Sequence, residues 1–231
     1  LSRGFGSAVQ GSPLVAVAWL ANTLGTYGVT LDAGDIILSG SLVPLEPAVK
    51  GDVFEMRKIE IIGGGLSGLS LGLSLRRRGV PVSIIESGSY PRHKVCGEFI
   101  CGVSNDVINE VGIADVFADA RRHRGLKWWM GDDLVLKDEL PEEAIGLSRY
   151  RMDADLAELF QSAGGELITG KRAGRDDATG RVWAAGKRKR GGKWIGLKVH
   201  AKNVNLDGLE MHVGRRGYLG LSGIEDGRVN C

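Results

Sequence analysis

Residues 58–68, "KIEIIGGGLSG", set a β-branched run directly against Gly63, Gly65 and Gly68 in the spacing G-x-G-x-x-G. A leucine-rich segment follows to Arg78, Gly79 stops it, and "VPVSIIE" reads as a second strand. Strand, tight turn, helix and strand in that order form a β-α-β unit, which commits this part of the chain to a parallel sheet. The three glycines serve a tight turn, close approach of backbone to a pyrophosphate, and close packing of helix on strand. The helix start then offers unpaired N–H groups and the positive end of its dipole to phosphate. With 36 glycines in the chain the triple alone is weak. Glu86 strengthens it, because a carboxylate at the end of the second strand can accept hydrogen bonds from a ribose diol. Together they point to a dinucleotide site and leave FAD and NAD unseparated.

The 231 residues are 43% hydrophobic and 25% charged, enough for one large domain or two modest ones. A formal net charge of +2 gives no chain-wide basic field for nucleic acid or an acidic membrane. The basic run "KRKR" at 187–190 lacks interleaved aromatics and reads as a solvated loop. Cys96, Cys101 and Cys231 are an odd set whose C-x4-C spacing suits neither a zinc finger nor a disulfide framework, so a reducing cytoplasm is expected. "SPLVAVAWLANTLG" is too short to span a membrane.

In the first 55 residues, Ser12 caps an expected buried helix that starts at Pro13 and ends near Gly25 or Gly28, and Asp35–Ser39 reads as a strand. Later segments predict helical turns capped at Asn105, a hairpin turning at Gly131, Asp132 and Asp133, and a helix from about Met152 to Ala163. Gly164 and Gly165 end that helix, and "ELITG" follows as a strand. The first methionine is Met56, where the pattern changes to the β-α-β order, so the chain is expected to be cut or fused there, with domains at 1–55 and 56–231.

"SYPRHKVCGEFI", residues 89–100, resembles the motif after the second strand in the geranylgeranyl-reductase-like branch of FAD-dependent oxidoreductases, relatives of aromatic hydroxylases and flavin-dependent halogenases. Pro91, Arg92, Lys94, Cys96, Gly97 and Glu98 carry the match. "SRYRMDADLAELFQSAGGELITG", "WIGLKVHAKNV" and "LEMHVGRRGYLGLSGIEDGRVNC" resemble later parts of that family in order. The resemblance implies an α/β fold: a Rossmann-like FAD-binding βαβ domain with part of a β-sheet substrate domain. It implies that Gly63, Gly65 and Gly68 hold the FAD pyrophosphate, Glu86 the ribose and Arg149, as a helix-start arginine, the phosphate side, with Arg92 as a second positive contact. Cys96 and Gly97 would lie near the flavin ring. An arginine suits phosphate because its planar fork makes two hydrogen bonds.

Plainer readings stand beside these. Arg149 as a surface helix residue, Cys96 as a buried small hydrophobe and Lys94 with Glu98 as a surface ion pair are open. His200 and His212 read as structural, and Trp128 and Trp129 as pocket or core residues. The family's second fingerprint, a Gly-Asp pair, is expected beyond Cys231, and "AAG" at 184–186 replaces a frequent Asp-Gly pair.

"GSPLVAVAWLANTLGTYGVTLDAGDIILSGSLVPLEP" and "KGDVF" resemble the C-terminal part of 2-keto-4-pentenoate hydratases and 4-oxalocrotonate decarboxylases, of the fumarylacetoacetate-hydrolase fold. That implies a β-rich fragment ahead of the flavoprotein part. The family holds a divalent metal with carboxylates from earlier in the chain, whereas Asp32, Asp35 and Glu46 are scattered here, so no metal ligand is assigned. Ser39 reads as satisfying local backbone. The expected function is FAD-dependent oxidation–reduction of a small apolar or aromatic molecule, with NAD(P)H as electron donor. Reduction of an isoprenoid-like double bond and flavin monooxygenation are its two forms, and metal-dependent hydration or decarboxylation of a 2-keto acid is the alternative. No nucleic-acid partner is expected, peripheral membrane contact is left open, and activity of this chain, as an incomplete or fused product, is in doubt.

Overall fold

The computed structural model describes residues 13–31 and 57–231, apart from 175, 177, 187–192 and 194. Two compact units divide between Glu55 and Met56. In the first, helix α1 (Pro13–Gly25) starts at the expected proline and stops at the nearer glycine. It is not the buried helix expected, since Trp19 is 55% exposed. An apolar helix is buried only where other elements cover it, and a unit of this size buries a smaller share of its surface than a full domain. Ser12, Asp35–Ser39, Glu46 and the "KRKR" run lie outside the described residues.

The second unit opens with β1 (Ile59–Ile62), α2 (Leu66–Arg77) and β2 (Val82–Ile85). The two strands pair in parallel, Ile59 opposite Val82 through Ile62 opposite Ile85. Two later strands join the same sheet: β6 (Glu166–Ile168) beside β2, and β7 (Arg181–Trp183) on the free side of β1. The order β6-β2-β1-β7 reverses direction at β1, and in open parallel sheets such a reversal opens a crevice beyond the strand C-termini. All four residues of β2 are buried, as a parallel strand covered on both faces requires.

Helix α4 (Arg149–Ser162) packs against α2. The shared core contains Ile61, Leu69, Leu73, Ile84, Leu156 and Phe160, and full burial of such side chains contributes about 1.5–3 kcal/mol each. Gly72 permits the close approach, since a Cβ there would sit 2.9 Å from both Ile84 Cδ1 and Phe160 Cε2. Gly79 ends the turn after α2 with φ +77, where a side chain would be strained.

Two helix starts differ from expectation because serines cap them. Ser104 Oγ accepts the Val107 N–H at 3.4 Å, so α3 (Asn105–Val111) has its cap one residue earlier than Asn105. Ser148 Oγ accepts the Arg151 N–H at 3.2 Å and starts α4 at Arg149, the helix-start arginine of the family resemblance and three residues before the Met152 of the apolar pattern.

A seven-stranded mixed sheet is built mainly from the expected hairpin, β4 (Arg121–Met130) and β5 (Asp133–Gly146), turning at Gly131 with φ +63. It also contains β3 (Phe99–Ile100), β8 (His200–Ala201), β9 (Leu209–Gly214), β10 (Gly217–Gly223) and β11 (Val229–Asn230). The order is β3-β5-β4-β9-β10-β11-β8. Only the β4–β9 pair is parallel among the described pairs of this sheet. Trp129 stacks on His212 with ring centroids 5.7 Å apart, while Trp128 is exposed.

Candidate functional site

The glycine turn lies at the sheet's point of reversal. Gly63 has φ +111, and a Cβ on it would sit 2.5 Å from the Ala184 carbonyl oxygen. Gly65 is the N-terminal cap of α2. A Cβ on Gly68 would stand 1.9 Å from the Gly63 carbonyl oxygen, so a side chain there would force the helix off the strand. Leu66 and Ser67 begin the helix, where N–H groups have no carbonyl one turn back to bond. Both line a cleft of about 610 Å³, within the range of small-molecule sites.

Charged groups converge on this helix start. Asp153 is 0% exposed and accepts from Lys94 Nζ at 2.7 Å, Arg149 Nε at 2.8 Å and Arg149 Nη2 at 2.9 Å. Two cations on one carboxylate leave net positive charge, and both heads reach the cleft: a Cβ on Gly65 would lie 3.4 Å from Arg149 Nη2 and 3.6 Å from Lys94 Nζ. Burial works to lower the Arg149 pKa, but its bonds to Asp153 and the nearby Cys96 outweigh burial and raise it. Arg149 is therefore no surface helix residue. Lys94 does not pair with Glu98 either; each has a separate buried partner set, because the loop carrying them folds inward against α4.

Across the cleft, Glu86 is buried and accepts from Gly64 N–H at 2.8 Å, Gly88 N–H at 2.8 Å, Ser87 Oγ at 3.1 Å and Arg92 Nη2 at 2.7 Å. Burial pushes its carboxyl upward, yet the Gly88 and Gly64 N–H groups with Arg92 hold it below the ordinary value of 4.5. Of these donors only Gly64 uses Oε2, which leaves that oxygen free to accept another. Arg92, read as a phosphate contact, is committed to Glu86 in this structure. Tyr90 braces the turn by donating its hydroxyl to the Gly64 carbonyl, and burial raises its pKa.

Gly63, Gly65, Glu86, Arg92 and Arg149 thus line one cleft, with Gly68 beneath it. Cys96 and Gly97 sit in the neighbouring loop, outside that lining. Cys96 is exposed rather than a buried hydrophobe, because its loop is tied down through backbone instead. The Gly97 carbonyl accepts Ser222 Oγ–H at 2.5 Å and the Cys96 carbonyl accepts Asn230 Nδ2–H at 3.2 Å. Three contributors escaped the sequence reading. Asp153 stands four residues after Arg149, the spacing of a helical ion pair, and was detectable on that ground. Lys171 and Arg172 follow β6, whose place beside β2 only the fold reveals. Ala184, Ala185 and Gly186 line the cleft without supplying a carboxylate. Among the described residues no group of three metal-binding side chains occurs.

A family described as an FAD binding domain matches residues 56–194, more than half of the chain. The chain belongs to this FAD-binding family. Its fold is shared with the tetrameric form of 2-methyl-3-hydroxypyridine-5-carboxylic acid oxygenase, at TM-score 0.60 and 16% identity over 77% of this chain and 58% of that one. PqsL of P. aeruginosa in complex with 2-aminobenzoylacetate matches at TM-score 0.56 and 14% identity, over 76% of this chain and 60% of its own. A separate likeness, 66% identity over 53 residues, links 23% of the chain to 20% of the 2-hydroxyhexa-2,4-dienoate hydratase of Comamonas testosteroni. The chain therefore spans about a fifth of that hydratase and less than two thirds of the oxygenase. Among the described residues, no helix is long and apolar enough to cross a membrane.

Proposed function

We propose that residues 56–231 bind FAD in this cleft as the cofactor-binding part of a flavin-dependent oxidoreductase acting on a small aromatic or apolar molecule. The observation that carries the reading is the convergence of an open helix N-terminus with Arg149 and Lys94 on one side of the cleft and Glu86 on the other. The residues fit the cofactor's adenosine and pyrophosphate portion. Gly63 and Gly68 admit no Cβ and set the tight turn, Gly65 leaves the helix start open to the phosphates, two cations offset their charge, and Glu86 Oε2 retains capacity for a ribose hydroxyl. Arg92 holds Glu86 in place, and Cys96 and Gly97 belong to the segment nearest the ring.

FAD supplies two-electron redox chemistry when bound, and the protein's part is to orient it and keep water from the reacting centre. The oxygenase named among the fold relatives favours monooxygenation over reduction of an isoprenoid double bond. The geranylgeranyl-reductase-like reading rests on the resemblance of the 89–100 motif and the later segments in the sequence. NAD(P)H is the electron donor in either form. Residues 1–55 are a hydratase-like fragment joined to this part, and the whole hydratase's activity is not assigned to it.

Equilibrium dialysis of the full chain against FAD tests the reading. Saturable binding that weakens about tenfold or more in Arg149→Ala is expected, since that change removes a charge-assisted contact. Absence of binding, or binding indifferent to Arg149, would sink it.

A further inference from the structure

Glu98 is 2% exposed, and its backbone has φ +53, a conformation non-glycine residues adopt rarely. Three donors meet on its carboxylate. Oε1 accepts the Arg149 backbone N–H at 2.6 Å and the Lys198 ammonium, and Oε2 accepts His200 Nε2 at 2.6 Å. An ionised carboxylate only accepts, so against it Nε2 of His200 is the donor and, in the neutral ring, Nδ1 is the acceptor. A buried carboxylate that fixes one imidazole nitrogen as donor orients the ring and stabilises the imidazolium formed when the other nitrogen takes a proton.

His200 and Lys198 line a cavity of about 430 Å³ whose apolar wall is Val95, Leu197 and Val199. Lys94 borders both this cavity and the glycine-turn cleft, so the two adjoin. His93 approaches His200 edge-on at 5.2 Å and stacks on Tyr150 at 4.7 Å. The remaining charged group at the cavity, Arg228, is occupied by Glu225 and Asp226.

From this arrangement we propose that His200, oriented by Glu98, is a catalytic base for a weakly acidic hydroxyl on a small apolar ligand in the second cavity. The ligand's O–H bond breaks with its electron pair left on oxygen, and an N–H bond forms at Nδ1. The resulting imidazolium is paired with Glu98, and the Lys198 ammonium at the same cavity offsets the oxyanion. No electrons are exchanged in this step. The inference rests on the flavin reading only for the later use of the electron-rich oxyanion, so its test omits FAD.

The full chain is titrated with 4-nitrophenol at a pH where the free phenol is mostly neutral, because the anion absorbs at longer wavelength than the neutral form. The bound probe is expected to show the anion band, and His200→Gln to abolish it. The methyl ether 4-nitroanisole has no proton to give and is expected to bind wild-type protein about tenfold more weakly or worse. A neutral spectrum for the bound phenol, no phenol binding, equal binding of the ether, or an unchanged band in His200→Gln would each overturn the proposal. FAD binding by the variant, measured separately, reports whether its fold is intact; if it is lost, the phenol–ether comparison on wild-type protein decides. Loss of FAD binding by the wild-type chain would instead refute the cofactor reading and leave the probe result standing.

Discussion

Substituting alanine at two glycines of the turn separates packing from binding. At Gly68 the new Cβ would meet the Gly63 carbonyl oxygen at 1.9 Å, Gly63 C at 3.1 Å and Ile61 Cγ2 at 3.3 Å. The first obstacle is backbone in the strand-to-helix turn, so the start of α2 must move outward by more than an ångström to restore van der Waals contact. Overpacking of this kind costs about 1–3 kcal/mol. For a unit of this size, about 2 kcal/mol corresponds to a fall in Tm of roughly 4–8 °C. The same movement withdraws helix N–H groups from the cleft, and losing one hydrogen bond to a charged group, worth about 1.5–3 kcal/mol, weakens FAD binding about ten- to a hundredfold. At Gly65 the Cβ would stand 3.4 and 3.6 Å from the heads of Arg149 and Lys94, ordinary van der Waals distances, so the fold accommodates it while the cradle is filled. Gly65→Ala is therefore expected to melt within about 2 °C of wild type and to lose FAD affinity comparably to Gly68→Ala. Thermal unfolding monitored by circular dichroism, paired with a flavin fluorescence titration, reads both quantities. Wild-type melting of Gly68→Ala, or wild-type FAD affinity in Gly65→Ala, would refute the packing argument or the cradle argument respectively.

Other substitutions probe the surroundings of the cleft. Tyr90→Phe removes the hydroxyl bond to the Gly64 carbonyl and should cost about 1 kcal/mol in urea unfolding; an unchanged midpoint would show that this brace carries no stability. Burial holds the His123 pKa below 6.5 despite its bond to the Gly223 carbonyl, so below 6.5 the unfolded chain takes the proton first. Stability should fall as the pH drops through that value, and His123→Gln should flatten this first decline. Glu86 and Glu225 have lowered folded pKa values, so their contribution is present above 4.5 and is lost as the pH falls through the lower folded values. Urea midpoints measured against pH should therefore show a second, steeper loss in acid that Glu86→Gln reduces.

The parallel sheet was legible because its signals are local. Gly63, Gly65 and Gly68 fix a turn, Gly79 ends the following segment, and "VPVSIIE" supplies the neighbouring strand within roughly thirty residues. The apolar pattern places the helix starts one to three positions late where Ser104 and Ser148 act as caps, although the family resemblance puts Arg149 at the start of α4. Longer-range partners were harder to see. Lys94 meets Asp153, and Glu98 meets Lys198 and His200, only after the 89–98 loop folds against α4 and the second sheet. Lys94 and Glu98, four apart in sequence, suggested each other, yet in a loop that spacing carries no helical geometry. The exposure of α1 escaped the reading for a related reason: apolar composition states a preference for burial, and only the assembled fold decides whether a covering surface exists.

The central claim is that the cleft at the end of β1 holds the adenosine diphosphate portion of FAD. Competition calorimetry on the full chain tests it most directly, with FAD titrated alone and then in the presence of ADP or of riboflavin 5′-phosphate. One FAD site that ADP displaces and riboflavin 5′-phosphate does not is the expected result. Failure to bind FAD, or displacement by riboflavin 5′-phosphate but not by ADP, would contradict the assignment.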